Sequence, residues 1–278
     1  MSNLTHLGIS KLNTENITNM SYLFAYNSSL ISIDLSNLNT SNVTNMRSMF
    51  IECSSLESLN LCNFDTKNVT SLEFTFHGCS KLKSLDLSHF ETPKLTNLES
   101  TFQNCTSLKH LVLNSFNTIN VINMCSTFYN CSSLKSLNLC NFDVPNLENM
   151  KHAFYNCSIE ELDLSNFNTP KLTNLESTFQ NCTSLKTLDI SNFNTENVTT
   201  MKFLFENCSS LKYLNLSSLN TTNVKSVEGM FQNCSSLEIL DISNFDLTNT
   251  SNKTDFLKNC SKLYKIYTSE ENFKNIEY

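Results

Sequence analysis

Leu56 to Phe64, LESLNLCNF, is the stretch on which the reading of the fold rests. It spells L-x-x-L-x-L-x-x-F. The same frame opens at Leu4, Leu30, Leu82, Leu108, Leu134, Ile159, Leu185, Leu211, Leu237 and Leu263. The step is 26 residues throughout, except for 25 between Leu134 and Ile159. A fixed period of this size is the signature of a solenoid, in which each coil buries its apolar side only against its neighbours.

Within one coil the periodicity changes. Leu59 and Leu61 alternate as on a strand with one buried face. Phe64 turns a corner, and Asp65 to Asn68 form a turn-type cluster. Val69, Leu72, Phe76 and Cys79 then fall at offsets 0, 3, 7 and 10, the spacing of a short helical or 3-10 segment. The pattern predicts an α/β solenoid of about eleven coils. One continuous parallel sheet is expected on one face, with short helical segments opposite. Strands ~4.8 Å apart would make a rod of roughly 50 Å. Residues 1–278 read as a single array that starts inside a coil, as a fragment of a longer chain would. Residues 268–278 read as a polar tail or weak cap.

Columns recur from coil to coil. Phe24, Phe50, Phe76, Phe102, Phe128, Phe154, Phe179, Phe205 and Phe231 form one, and Phe64, Phe90, Phe116, Phe142, Phe167, Phe193 and Phe245 most of a second. Met20, Met46, Met124, Met150 and Met201 alternate with leucines in a third, expected to be packing. Charged residues are only 16% of the chain, so the surface must be Asn, Ser and Thr. With 3 Gly and 3 Pro, Asn is expected to supply the left-handed turn positions. The net charge of −7, without a Lys/Arg run, speaks against nucleic acid and anionic membrane as partners. No apolar run approaches the ~18 residues of a membrane span. The opening MSNLTHLGIS has no basic region followed by an apolar one, as a secretory signal would.

The L-x-x-L-x-L core is the strand of leucine-rich repeats. The full coil, VTNMRSMFIECSSLESLNLCNFDTKN from Val43 to Asn68, resembles one subgroup, the BspA-like leucine-rich repeat surface proteins. Their coils read roughly NVTNMxxMFxxCSSLxxLDLSNFDTS. Phe64 and Phe90 stand where commoner leucine-rich repeats carry Asn or Cys. The resemblance implies a leucine-rich repeat array and a non-enzymatic adhesion or protein-interaction role. It also implies display at the cell surface or secretion, with host, matrix or other surface proteins as partners. It carries over no binding residue. The alternatives are a cytoplasmic scaffold that binds a protein, and a Ca²⁺- or glycan-binding module.

Candidate chemistry is sparse. Nine cysteines form a column from Cys53 to Cys260. They lack the C-x-x-C spacing of a zinc site and read as buried thiols. Cys62 and Cys140 fall on the open strand face. Of five histidines only His89 and His110 fall on or near strands of adjacent coils, and no nucleophile–base set is evident, so no catalytic residue, cofactor or metal is expected. The strand face carries a column of Asp34, Asn60, Asp86, Val112, Asn138, Asp163, Asp189, Asn215, Asp241 and Tyr267. It reads as a solvated polar row, with Ca²⁺ ligation the sharper alternative. Asp163 and Asp189 are expected to raise one another's pKa. His110, Val112, Tyr213 and Ile239 vary where the core repeats, and with Asp163, Asp189 and Asp241 they are the candidate ligand-binding residues. The corners, by contrast, are expected to repeat the same Asn, Ser and Thr in every coil. Sequons such as those at Asn42, Asn68, Asn104 and Asn207 read as turn vocabulary rather than glycan sites. Thr92–Lys109 is identical to Thr169–Lys186, a three-coil block copied within the array.

Overall fold

The computed structural model describes residues 4–9 and 12–269. The tail expected from 268 lies outside the described residues from 270 onward. The chain forms a parallel β-solenoid of about ten turns. Nine three-residue strands lie along one face: β1 His6–Gly8, β2 Ser32–Asp34, β3 Ser84–Asp86, β4 His110–Val112, β5 Glu161–Asp163, β6 Thr187–Asp189, β7 Tyr213–Asn215, β8 Ile239–Asp241 and β9 Lys265–Tyr267. In most of them the central Leu or Ile is buried and its flanks face solvent, as alternation requires.

The sheet is not continuous. It is hydrogen-bonded as β1-β2, β3-β4, β5-β6 and β7-β8-β9. The coils at 58–60 and 136–138 lie in line but form no strand. Both carry the same hexapeptide, Ser-Leu-Asn-Leu-Cys-Asn.

The unbroken ladder runs along a different line. Parallel bridges link Asn19 to Asn45, and so on through Ser71, Asn97, Asn123, Asn149, Asn174, Thr200 and Ser226 to Asn252. From there to the cysteine column each coil is a train of tight turns, and no helical or 3-10 segment occurs among the described residues. The amides of Met49, Ile51 and Cys53 close turns onto the carbonyls of Met46, Ser48 and Phe50. The alternate amides of Ser48, Phe50 and Glu52 donate instead to Glu73, Thr75 and His77 of the next coil. A helix would spend every amide inside its own coil and leave none for the neighbour. Left-handed residues four apart, such as Ser48 (φ 55°) and Glu52 (φ 57°), enforce the alternation, because they sit where a type II turn needs positive φ. Asn fills many of these positions, as expected: Asn104, Asn130, Asn156, Asn181, Asn207, Asn233 and Asn259. Their amides also form a ladder, Asn130 to Asn104 at 2.9 Å and Asn156 to Asn130 at 2.7 Å.

Side-chain hydroxyls complete the stitching. The buried Thr40 accepts from the amide of Asp65 at 2.7 Å and donates to its carbonyl at 3.0 Å. Thr14, Thr92, Thr118, Thr169 and Thr221 repeat this at their own corners. At the coil before the shortened step Val144 replaces Thr, and the amide of Asn168 turns back to Asn166.

The core columns are as the period predicts. Consecutive rings from Phe24 to Phe231 stack with centroids 5.3–5.8 Å apart. Phe90, Phe116, Phe142, Phe167 and Phe193 stack at 6.1–6.4 Å. The Met/Leu column is fully buried and serves as packing.

Candidate functional site

The strand face places the seven candidate residues in two neighbouring groups. His110 and Val112 on β4 lie opposite Ser84 and Asp86. Asp163 on β5 is in register with Asp189 on β6. One shallow groove connects these two pairs across the sheet break. A cavity of about 360 Å³ is lined by Lys109, His110, Val112, Leu137, Asn138 and Glu161. It adjoins one of about 550 Å³ that shares Leu137, Asn138 and Glu161 and adds Cys140, Asp163 and Asp189. The second group is Tyr213, Ile239 and Asp241. Tyr213 pairs with Ile239, and Ile239 pairs with Lys265. Tyr213 is 54% exposed, and the Lys265 ammonium sits 4.6 Å from the centroid of the Tyr267 ring. This end of the face therefore offers aromatic and aliphatic surface beside a cation.

The aspartates do local work. Oδ1 of Asp163, Asp189 and Asp241 accepts the amide two residues on, from Ser165, Ser191 and Ser243. Asp34 and Asp86 do the same. These Asx turns let the chain leave the strand for the corner. The hydrogen bonds from Ser165 hold the Asp163 carboxyl below the usual range, so the expected upward shift from Asp189 is not found there. Among the described residues no three His, Cys, Asp or Glu side chains are placed to share a metal ion.

The histidines are less isolated than their spacing suggests. His6 lies on β1 with Nδ1 2.7 Å from Ser32 Oγ. His89 Nε2 lies 2.7 Å from the carbonyl of Leu61. His77 approaches Glu52 at 3.4 Å, and burial pulls its pKa down. His152 packs edge-on against Tyr129 and Tyr155, which stack on each other at 4.5 Å. That aromatic group lies on the turn side, which also carries the pairs Lys151–Glu176 and Lys202–Glu228. The corner is not uniform either. Ile119 and Ile122 are 44% and 45% exposed at one corner, where other coils carry proline or polar residues. Comparing polar columns position by position would have shown both features. The sequon side chains Asn42, Asn68 and Asn207 donate across coils, to Glu15, Ser41 and Asn181.

All twelve cysteines are free thiols. Each column thiol donates to the phenylalanine carbonyl of the preceding coil, from Cys53 to Phe24 at 3.1 Å through Cys260 to Phe231 at 3.0 Å. Burial pushes Cys105 and Cys182 up to about 12. Cys62 and Cys140 are exposed. Alkylation of the native protein is therefore expected at Cys62 and Cys140 well before Cys105, Cys131 or Cys182, followed by mass spectrometry of timed digests. Comparable rates at all five would show that the column is open to solvent.

These features define a leucine-rich repeat solenoid. The family profile described as "Mycoplasma protein of unknown function, DUF285" matches residues 1–110, 70–187 and 149–270, and the chain belongs to that family. No curated protein matches it. Among solved structures it is similar to a leucine-rich cell surface protein of Faecalibacterium prausnitzii, at 15% identity and a TM-score of 0.42, covering 99% of this chain and 91% of that one. A leucine-rich repeat protein of Eubacterium ventriosum matches at 14% identity and a TM-score of 0.39, covering 94% and 84%. The mouse RP105/MD-1 complex matches at 23% and 0.36, covering 95% of this chain and 42% of that one. At these identities the likeness concerns the fold alone. No helix among the described residues is long and apolar enough to cross a membrane.

Proposed function

We propose that this chain is a non-enzymatic protein-binding module of the BspA-like adhesive type, displayed on a cell surface, whose strand face engages the partner. The observation that carries the reading is Tyr213 beside Ile239: an exposed aromatic paired with an aliphatic, on a face where the two preceding coils present Glu161, Asp163, Thr187 and Asp189. Aromatic anchors dominate interface energies, with truncation often costing about 2 kcal/mol or more. His110 and Val112 supply a second contact point through the groove that reaches Asp163 and Asp189.

The expected result is that Tyr213→Ala with Ile239→Ser weakens capture by immobilised matrix and cell-surface proteins by roughly tenfold or more, the equivalent of one lost anchor. The melting temperature should change by only a few degrees. The comparison variant carries Ile119→Ser and Ile122→Ser at the corner. Loss of binding in the corner variant with full binding in the strand-face variant would place the partner elsewhere. The second reading, a scaffold inside the cell, draws on the twelve reduced thiols, because disulfides are rare in reducing compartments. Localisation of the full gene product by surface proteolysis of intact cells separates the two.

A further inference from the structure

The copied block shows where the strand face has changed. Thr92–Lys109 and Thr169–Lys186 are identical, and the identity ends at the strand that follows. There His110-Leu111-Val112 of β4 stands against Thr187-Leu188-Asp189 of β6. The inward leucine is kept and both outward residues differ. One coil earlier, Lys83-Ser84-Leu85-Asp86 corresponds to Glu160-Glu161-Leu162-Asp163, and again the leucine is kept while outward residues differ. The sheet follows the copy. A strandless coil precedes the pair β3-β4, and another precedes β5-β6. Residues that pack are retained, whereas the outward ones are free to be fitted to what the face meets.

The second strandless coil, 136–138, underlies the groove between β4 and β5. Leu87 and Leu164 donate their amides to the next coil's Val112 and Asp189, at 3.0 and 2.9 Å. Leu113 and Leu139, at the same position on either side of the break, make no such bond. The two ends of the groove carry opposite charge. Lys109 and His110 line one, and Lys135 follows Lys109 in the next coil of the same row. Glu161, Asp163 and Asp189 line the part towards β6. To either side, lysines of that row are answered within the chain, Lys83 by Glu57 at 3.3 Å and Lys186 by Glu160 at 2.6 Å. Lys109, Lys135, Glu161, Asp163 and Asp189 are exposed and join no ion pair among the described residues. Over the other strandless coil, 58–60, β2 and β3 present Ser32, Asp34, Ser84 and Asp86, with no cation on either strand.

Successive coils lie ~4.8 Å apart, so the basic and acidic halves of the groove, two coils from centre to centre, are separated by roughly 10 Å. An extended chain rises ~3.3 Å per residue and covers that distance in about three residues. Val112 and Leu137 give the groove apolar surface beneath such a chain. We propose that this groove holds an extended segment of the protein partner, with an acidic side chain over Lys109, His110 and Lys135 and a basic one, about three residues along, over Glu161, Asp163 and Asp189. This rests on the strand face being the side that binds, and it gives the groove a ligand chemistry of its own, apart from the Tyr213–Ile239 anchor.

Selection of a random dodecapeptide library, displayed on phage, against the full chain tests this. Enriched sequences are expected to carry Asp or Glu and Lys or Arg about three residues apart. A synthetic peptide of the enriched sequence should bind roughly fivefold or more weakly once Lys109→Glu or Glu161→Lys is introduced. Lys109→Glu combined with Glu161→Lys reverses the groove, which should then prefer the peptide with its two charged residues exchanged. Both positions are exposed, and unchanged melting temperatures confirm intact folds. No enrichment, enrichment without the charge pair, an affinity indifferent to both substitutions, or a reversed groove that still prefers the original peptide overturns the proposal. Tyr213→Ala with Ile239→Ser should leave the peptide affinity unchanged. Its loss would place the peptide at that anchor and overturn the groove. Unchanged peptide affinity with full capture of matrix proteins by the same variant would remove the anchor and leave the groove standing.

Discussion

Raising the pH from 8 to 10 is expected to remove most or all of the folding stability. Seven consecutive column thiols from Cys79 to Cys234 are 0–2% exposed: Cys79, Cys105, Cys131, Cys157, Cys182, Cys208 and Cys234. Burial raises the pKa of each, with Cys105 and Cys182 at about 12. An unfolded cysteine titrates near ~8.5. Above that pH the unfolded chain releases protons that the folded chain still holds, so stability falls as pH rises. The contribution is intact below about 8.5 and withdrawn as the pH rises toward the folded pKa of each thiol, about 12 for Cys105 and Cys182. Each thiol withdraws about 1.4 kcal/mol per pH unit in that window. By pH 10 seven of them withdraw roughly 14 kcal/mol, comparable to the whole stability of an ordinary domain. Urea midpoints at a series of pH values measure the slope. Tyrosine and lysine titration adds to it, so the decisive comparison is with Cys131→Ala plus Cys157→Ala, whose slope should be shallower by about two protons. Equal slopes in both proteins would show that the column does not titrate as buried thiols.

That expectation rests on a column visible in the sequence, and the columns are what a repeat makes legible. A position apolar in every coil has to face the core, so the phenylalanine, methionine and cysteine columns are read without structure. Local conformation is less legible. Apolar offsets of 0, 3, 7 and 10 suit one face of a helix, yet from Met46 to Cys53 the same residues point inward along a train of turns. What decides is the destination of the alternate amides, and that depends on a neighbouring coil the local pattern does not contain. Asn104 and its equivalents hinted at left-handed backbone. Ser48, Phe74 and Phe203 at the same kind of position did not.

The sheet break is illegible for a related reason. Leu56 to Phe64 has the clearest strand pattern in the chain, and its coil forms no strand. A three-residue strand exists only where at least one neighbouring coil lies in hydrogen-bonding register, so the alternation within a coil does not decide it. The candidate site was legible as variation on the strand face. The groove joining His110 to Asp189 was not, because it lies over the break. The apolar corner is invisible to a reading that takes the corners as a type; it shows only along one column, from Lys67 through Pro93, Ile119, Pro145 and Pro170 to Glu196.

Phe128→Ala is expected to cost about 3–5 kcal/mol, the range for truncating a fully buried phenylalanine. The ring is 0% exposed. It stacks on Phe102 at 5.6 Å and on Phe154 at 5.3 Å, so two aromatic contacts are lost with the buried area. Its own backbone is committed on both sides: the amide donates to Ala153 and the carbonyl accepts the Cys157 thiol at 3.0 Å. The neighbours therefore have little freedom to close the gap. Position along the rod gives the sharper test. Phe24 begins the same column with a single stacked neighbour, Phe50 at 5.4 Å, so Phe24→Ala should cost less. Because each coil is held only by the next, a gap at Phe128 also weakens the coupling between the two halves of the array. Urea unfolding of the Phe128→Ala protein should then lose its single sharp transition, with a lowered apparent m-value, whereas Phe24→Ala should fray one end and keep the main transition. Equal effects at the two positions would mean that the stacked rings do not carry cooperativity along the solenoid. A loss below 1 kcal/mol at Phe128 would contradict its place in the spine.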